Sequence, residues 1–280
     1  MKAGNLVSPE WLMKNIENPS IKILEFNWNG TDSYDSWHIP GAQGWFWKDW
    51  LWDENIRDFP SPDDFARRCS LSGIENKTKI VCYGDPPQFG TYGWWVIKYL
   101  GHLDVCVLDG GRVKWEKMGF PKSLEPPTIS EVNYLPNAKR NNNMRIRRDE
   151  ILDKIDEIDQ QKIILLDHRS AEEYRGERVN MIGAPDVGAE RAGRIPGARH
   201  LYFEDLLDKN MCFKSANELS DLFEAKGATA DSEIISYCRL SHRATLAFFA
   251  MTELLGYTNV RSYDGSWTEW GSLVGVPIER

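Results

Sequence analysis

Residues 233–256 read EIISYCRLSHRATLAFFAMTELLG, and the fold of the chain can be worked out from this stretch. A short apolar segment, Glu233–Tyr237, is followed by a polar loop and then by a long apolar segment, Ala244–Leu255. Short apolar runs between polar residues are typical of strands that are buried in a parallel sheet. The stretch therefore predicts a strand, a tight loop that contains Cys238, and a buried helix.

The same pattern occurs twice along the chain, at an offset of 155 or 156 residues. The motif Ile-Pro-Gly-Ala at 39–42 recurs at 195–198, and Leu-Asp-Gly-Gly at 108–111 recurs as Tyr-Asp-Gly-Ser at 263–266. Matches in the same order at one offset indicate two copies of one domain. Alternating strands and helices in each copy predict an α/β fold in which a parallel β-sheet carries helices on both faces.

The predicted domains are 1–120 and 146–280, joined by a linker at 121–145 that is rich in proline and then polar. After each Ile-Pro-Gly-Ala turn we expect a helix and then the next strand. The other predicted strands are 21–24, 79–83, 105–108, 163–166 and 260–263, and the other predicted helices are 9–16, 92–100 and 148–155. The second copy also has an insertion around 176–193.

The composition excludes several classes of protein. A chain of 280 residues suits two domains, and its net charge of -8 argues against nucleic acid as a partner, which would require a basic groove. No stretch approaches about 18 apolar residues, so no membrane span is expected. Residues 1–5 contain no apolar segment, and we therefore expect no signal peptide.

The cysteine pattern indicates free thiols. The chain has five cysteines, at positions 69, 82, 106, 212 and 238, with no Cys-x-x-Cys pair. Neither a zinc ribbon nor a thioredoxin motif is available, and we predict neither a metal nor a cofactor. The expectation is a cytoplasmic protein with reduced thiols.

Cys238 differs from the other four cysteines in its surroundings. It precedes a helix, where backbone N–H groups form a cradle for an anion, and three potentially cationic side chains follow it: Arg239, His242 and Arg243. Positive charge and N–H donors favour the nucleophilic thiolate over the thiol. We therefore predict that Cys238 is a catalytic nucleophile.

Several motifs together resemble the rhodanese family. They are the loop CRLSHR at 238–243, DHRS at 167–170 with YRG at 174–176, RIPGA at 194–198, and YDGSW at 263–267. The two-copy layout is similar to that of the thiosulfate and 3-mercaptopyruvate sulfurtransferases. In that family the cysteine takes sulfane sulfur from a donor and passes it on as a persulfide.

The resemblance implies roles for further residues. The residues expected to bind the donor are Arg175, Arg239, Arg243, Ser241 and His242. Asp167, Leu240 and Asp264 are expected to support the loop, with Asp264 fixing the Asp-Gly turn. The implied partners are a small anionic sulfur donor and an acceptor, which is cyanide, a small thiol or a thioredoxin-like protein.

The first copy lacks the requirements for this chemistry. Its corresponding loop reads YGDPPQFG at 83–90, without a cysteine at the nucleophile position. Asp85 places negative charge there, and Pro86 and Pro87 have no backbone N–H to donate. We therefore expect residues 1–120 to have a structural or cleft-forming role.

Three alternatives remain open from the sequence. The first alternative is a cysteine phosphatase, but such an enzyme has one more residue between the cysteine and the arginine, because its loop encloses a phosphate. The second alternative is a non-catalytic binding module, which many rhodanese-like domains are. The third alternative is the choice of donor. A cationic loop favours dianionic thiosulfate over 3-mercaptopyruvate, although Leu240 occupies the position at which a thiosulfate-type loop has a lysine.

Overall fold

The computed structural model describes residues 4–137 and 139–280, which form two compact units. The first unit contains residues up to Asn141 together with Lys209–Cys212. The second contains Asn142–Asp208 and Phe213–Arg280. Residues 1–3 of the first predicted domain and residue 138 of the predicted linker lie outside the described residues.

The first unit is built on a parallel five-stranded sheet, ordered β1-β5-β4-β2-β3. Its strands are β1 Leu6–Val7, β2 Ile21–Asn27, β3 Ala42–Phe46, β4 Lys79–Asp85 and β5 Val105–Leu108. Its helices are α1 Pro9–Asn15, α2 Asp32–Ser36, α3 Trp47–Leu51, α4 Pro62–Leu71, α5 Gln88–Tyr99 and α6 Gly111–Lys117.

The second unit repeats this plan with a parallel four-stranded sheet, ordered β7-β6-β8-β9. Its strands are β6 Ile164–Asp167, β7 Arg199–His200, β8 Ile234–Tyr237 and β9 Val260–Ser262. Its helices are α7 Arg148–Asp153, α8 Ile155–Asp159, α9 Ala171–Tyr174, α10 Ala216–Glu224, α11 His242–Phe249 and α12 Ser266–Trp270, with 3₁₀ turns at Asn142–Met144 and Phe203–Leu206.

These two parallel sheets, each flanked by helices, confirm the predicted α/β class and the predicted duplication of one domain plan. The order β5-β4-β2-β3 in the first sheet corresponds to β9-β8-β6-β7 in the second. In both units the strand that precedes the loop of interest, β4 or β8, lies inside the sheet, so that loop emerges at the carboxyl end of a central strand. This is the position at which α/β folds carry their sites.

Local sequence explains where several helices begin. Ser8 and Ser61 are N-caps whose hydroxyl oxygens accept the N–H groups of Trp11 and Asp64, and a proline follows each of them. Proline suits the first helical position because an N–H group there would have no intrahelical acceptor, so its absence costs no hydrogen bond. In the second unit Ser170 forms a capping box with Glu173 at the start of α9.

The structure differs from the predicted elements mainly in three places. Each Ile-Pro-Gly-Ala turn leads into an edge strand, β3 or β7, before any helix. The predicted helix at 148–155 is two short helices, α7 and α8. The helix after Cys238 starts at His242 and continues from α11 into a π-helical turn at Ala250–Leu254. Edge strands are short and have one neighbour, and their sequences therefore carry a weak periodic signal.

An aromatic cluster belongs to the core of the first unit. Trp45 and Trp47 are buried, Trp45 stacks on Trp50 with ring centroids 4.5 Å apart, and Trp47 meets Trp52 edge-on at 4.6 Å. The indole N–H of Trp52 donates to the Tyr92 hydroxyl. These rings therefore pack within the first unit.

Most of the predicted linker runs along the first unit. Ser123 pairs with His38 through backbone hydrogen bonds, and the N–H of Asn141 donates to the carbonyl of Tyr99. Arg145 already belongs to the second unit, where it forms an ion pair with Asp264. Among residues 4–137 and 139–280, no helix is both long and apolar enough to cross a membrane.

Candidate active site

Cys238 lies between β8 and α11 with only 1% of its surface exposed. The four residues of β8 are all buried, which fixes the point where the loop leaves the sheet. At the other end of the loop Ser241 is the N-cap of α11 and has a left-handed backbone, with φ 72°. This conformation turns the chain sharply, so residues 238–241 form a tight loop at the helix N-terminus.

Ser266 closes the loop from the other side. Its Oγ accepts the backbone N–H groups of Cys238 and Ser241, both at 3.2 Å, and donates to the carbonyl of Tyr263 at 2.8 Å. The next residue, Trp267, donates its N–H to the Cys238 carbonyl at 3.0 Å. The loop is therefore clamped onto the start of α12.

The sequence analysis gave Ser266 no role, although a comparison of the two copies points to it. The matching residue of the first copy is Gly111, and both residues have positive φ, 45° for Gly111 and 52° for Ser266. A left-handed conformation suits glycine and costs other residues free energy. A serine at such a position is explained by its hydroxyl, which the first copy does not have.

The loop presents unused hydrogen-bond donors. The described residues offer no acceptor to the backbone N–H groups of Arg239, Leu240, Arg243 and Ala244. The first N–H groups of a helix have no intrahelical acceptor, and the helix dipole adds partial positive charge there. Backbone N–H groups without acceptors at the start of a helix are what the predicted cradle for an anion beside Cys238 requires.

Arg243 is held rigidly by a carboxylate that sequence reasoning did not select. Its guanidinium donates to both carboxylate oxygens of buried Glu173, at 2.6 and 2.9 Å. Burial raises the pKa of Glu173, but Arg243 outweighs it, and the net pKa lies below its usual value. Glu173 is therefore an anion that neutralises much of the charge of Arg243.

Asp167 holds the strand that delivers Cys238. It is fully buried and accepts the hydroxyl of Tyr237 at 2.6 Å and the guanidinium of Arg169 at 2.6 Å. The first unit has the same arrangement, in which Glu25 accepts from Tyr83 and from Arg112. This shared network positions the tyrosine before each loop.

The remaining predicted residues of the loop have different environments. Ser241 directs its Oγ to within 3.3 Å of the Ser262 Oγ, and His242 is buried at the first position of α11. Leu240 is half-buried. Arg239 is partly buried and follows Cys238 directly. Its guanidinium donates to the Val187 carbonyl, and among the described residues it forms no ion pair with a carboxylate.

Two further predicted residues lie in ion pairs outside the loop. The side chain of Arg175 is 52% exposed and binds Glu177 at 2.6 Å. Asp264 is buried and accepts from Arg145 at 2.6 and 3.0 Å, which ties the Asp-Gly turn to the start of the second unit.

The other cysteines have different environments. Burial raises the pKa of Cys69 and of Cys82 far above its usual range, and raises that of Cys106 to about 12. These thiols are protonated at neutral pH. Cys212 is partly buried, and all five cysteines are free of disulfides.

The corresponding loop of the first unit carries an anion where the second has its thiol loop. Asp85 ends β4, and its carboxylate accepts from Ser33 at 2.6 Å. Helix α5 follows Pro86 and Pro87, which supply no N–H. This loop is therefore unsuited to holding an anionic sulfur.

Comparisons with known proteins agree with this geometry. A model of the rhodanese-like domain matches residues 8–118 and 148–273. The sulfur carrier protein TtuD of Thermus thermophilus is 42% identical over 280 residues, covering 98% of this chain and 96% of that protein. A Haloferax volcanii protein named "Putative thiosulfate sulfurtransferase" is 37% identical over 281 residues, with 98% and 96% covered.

A solved structure shows the same fold. The anaerobic ergothioneine biosynthesis enzyme of Chlorobium limicola superposes with a TM-score of 0.84 at 24% identity, covering 98% of this chain and 70% of that chain. Its likeness concerns the fold alone. The domain matches in both halves and the relatives that span the whole chain show that this protein belongs to the rhodanese family, with two rhodanese-like domains in tandem.

Proposed function

We propose that the chain is a sulfurtransferase that carries sulfane sulfur as a persulfide on Cys238, with thiosulfate as the donor. The observation that supports this most is the loop after Cys238, in which four backbone N–H groups at the N-terminus of a helix have no acceptor among the described residues. The family relatives named as sulfur carrier and thiosulfate sulfurtransferase support the same class of reaction.

The proposed transfer has two balanced steps. The Cys238 thiolate attacks the outer sulfur of thiosulfate, the sulfur–sulfur bond of the donor breaks, and sulfite leaves with the electron pair. The product is an anionic cysteine persulfide, and its charge lies in the cradle of N–H donors. In the second step cyanide or a thiolate attacks the outer sulfur, and thiocyanate or a new persulfide leaves while the Cys238 thiolate is regenerated.

The charge distribution bears on the choice of donor. Glu173 neutralises Arg243, so the loop is less cationic than its sequence predicts. Arg239 and the N–H donors are then the groups that favour the two negative charges of thiosulfate. If 3-mercaptopyruvate is instead the preferred donor, its carboxylate has to be recognised by shape and by hydrogen bonds.

The test offers thiosulfate and 3-mercaptopyruvate side by side, with cyanide as acceptor. Wild-type protein treated with donor alone is expected to gain one sulfur atom on the peptide that contains Cys238. Cys238→Ser should lose this gain and all turnover, while Cys212→Ser, which removes another thiol of the chain, should retain both. A sulfur atom on any other cysteine contradicts the assignment, and a tenfold higher kcat/KM with 3-mercaptopyruvate contradicts thiosulfate as the donor.

A further inference from the structure

The insertion of the second copy, residues 176–193, forms a loop with its own hydrogen-bonded framework. The Asp186 carboxylate accepts the N–H groups of Val179 and Asn180 at 2.8 and 3.1 Å, and the Asn180 side chain donates to the Pro185 carbonyl at 2.8 Å. Contacts of this kind hold a loop in one shape. We call residues 176–193 the insertion loop.

A hydrogen bond joins the insertion loop to the active-site loop, residues 238–241. The Arg239 guanidinium donates through Nη2 to the Val187 carbonyl at 2.9 Å. The next residue, Gly188, has φ +113°, and a Cβ placed on it would lie 2.3 Å from Nη2, 3.0 Å from Cζ and 3.2 Å from Nε of Arg239. The guanidinium therefore lies across the bare Cα of Gly188, in a seat that only glycine leaves open.

Arg239 keeps unused binding capacity in this seat. Its Nε is buried and has no hydrogen-bond partner among the described residues. Burial lowers the pKa of Arg239, and the neighbouring charge of Arg243 acts in the same direction. A partly desolvated cation with an unmatched N–H gains free energy when an anion reaches it.

We propose that the insertion loop selects the sulfur donor by seating Arg239 beside Cys238, where its guanidinium binds the anionic end of the donor. Gly188 is the positioning residue, and Arg239 is the residue that touches the donor. The inference rests on the proposed function of Cys238. It assigns to the insertion loop, which the first copy lacks, the preference for a dianionic donor over a monoanionic one.

Gly188→Ala tests the seat, because the atoms in its way belong to the end of a flexible side chain and the guanidinium should move aside. Gly183→Ala is the matched control, since Gly183 lies in the same loop with φ +87° but has no atom within 4 Å of its added Cβ. Gly188→Ala should raise the KM for thiosulfate roughly tenfold, the value of one charge-assisted hydrogen bond, with little change in kcat. Gly183→Ala should change neither parameter appreciably.

A double-mutant cycle separates positioning from general damage. In an Arg239→Leu background Gly188→Ala should add no further loss, because its effect passes through Arg239. Equal kinetics for Gly188→Ala and Gly183→Ala, or an equal further loss in the Arg239→Leu background, would overturn the inference.

A second readout does not require turnover. The rate of Cys238 alkylation by anionic iodoacetate, divided by the rate with neutral iodoacetamide, reports the positive charge beside the sulfur. This ratio should fall in Gly188→Ala and stay at the wild-type value in Gly183→Ala. An unchanged ratio in Gly188→Ala overturns the seating of Arg239 by Gly188, whichever donor is used. Failure of wild-type Cys238 to take up sulfur overturns the proposed function, and the selection of a sulfur donor with it, while the ratio still decides whether Gly188 seats Arg239 beside Cys238.

Discussion

Replacing Ser266 by alanine should open the active-site loop. The serine Oγ is the acceptor for the N–H groups of Cys238 and Ser241, and it also donates to the Tyr263 carbonyl. Alanine keeps the backbone bulk and removes all three hydrogen bonds. Because the two N–H groups are buried, alanine leaves them without a partner.

The magnitude follows from these contacts. An unsatisfied buried N–H costs about 1–3 kcal/mol, so two of them destabilise the closed loop by roughly 2–4 kcal/mol after partial relaxation. Ser266→Gly removes the same hydroxyl but relieves the left-handed strain at φ 52°, and its loss should be smaller by about 1 kcal/mol. The pair of variants thus separates the hydrogen bonds from the backbone conformation.

Hydrogen exchange measures this effect locally, which suits a two-domain chain that need not unfold in one transition. The amides of Cys238 and Ser241, which lose their acceptor, should exchange about 30- to 1000-fold faster in Ser266→Ala, and somewhat less so in Ser266→Gly. The rate of persulfide formation should fall in both variants. A Ser266→Gly protein whose exchange is as slow as that of wild type would refute the clamp and make the backbone conformation the dominant effect.

Three further predictions concern the first copy, which lacks the catalytic cysteine, and the charged residues of the second. Cys82→Ser should leave persulfide formation intact and alter only the melting temperature, and loss of the persulfide with unchanged melting would contradict this. Arg239→Leu should raise the KM for thiosulfate much more than that for 3-mercaptopyruvate, and equal effects would contradict a charge-based choice of donor. Because Arg243 lowers the folded-state pKa of Glu173, their pair stabilises the protein above the unfolded-state pKa of about 4.3 and is lost as pH falls through the folded value. Glu173→Gln should therefore flatten the loss of stability below about pH 4 in urea titrations, and an unchanged acid limb would mean that the pair contributes little.

The sequence predicted strands best where a strand is a continuous apolar run. The central strands β2, β4, β6 and β8 are buried apolar runs, and the sequence places each of them within a few residues of its observed bounds. The edge strand β7 has only two residues, which is too short for any periodicity. Its existence depends on pairing with β6, a contact between distant parts of the chain.

The candidate site divides in the same way. Cys238 and the donors after it are adjacent in sequence, because a strand end and a helix start are local features. Glu173 lies 70 residues from Arg243, and nothing in its own segment marks it as the partner. In the same segment the sequence instead drew attention to Arg175 as a donor-binding residue, and in the structure Arg175 binds Glu177.

The sequence by itself determined the α/β class, the duplication, and the cysteine that stands before a helix, because these depend on local periodicity, turn residues and repetition. The tertiary structure alone decided the charge and the closure of the site. Whether Arg243 is a free cation depends on Glu173, and whether the loop is closed depends on Ser266, which is 28 residues beyond Cys238. Hydrogen bonds and ion pairs act over a few ångströms of space, and only the folded chain brings such distant residues within that range.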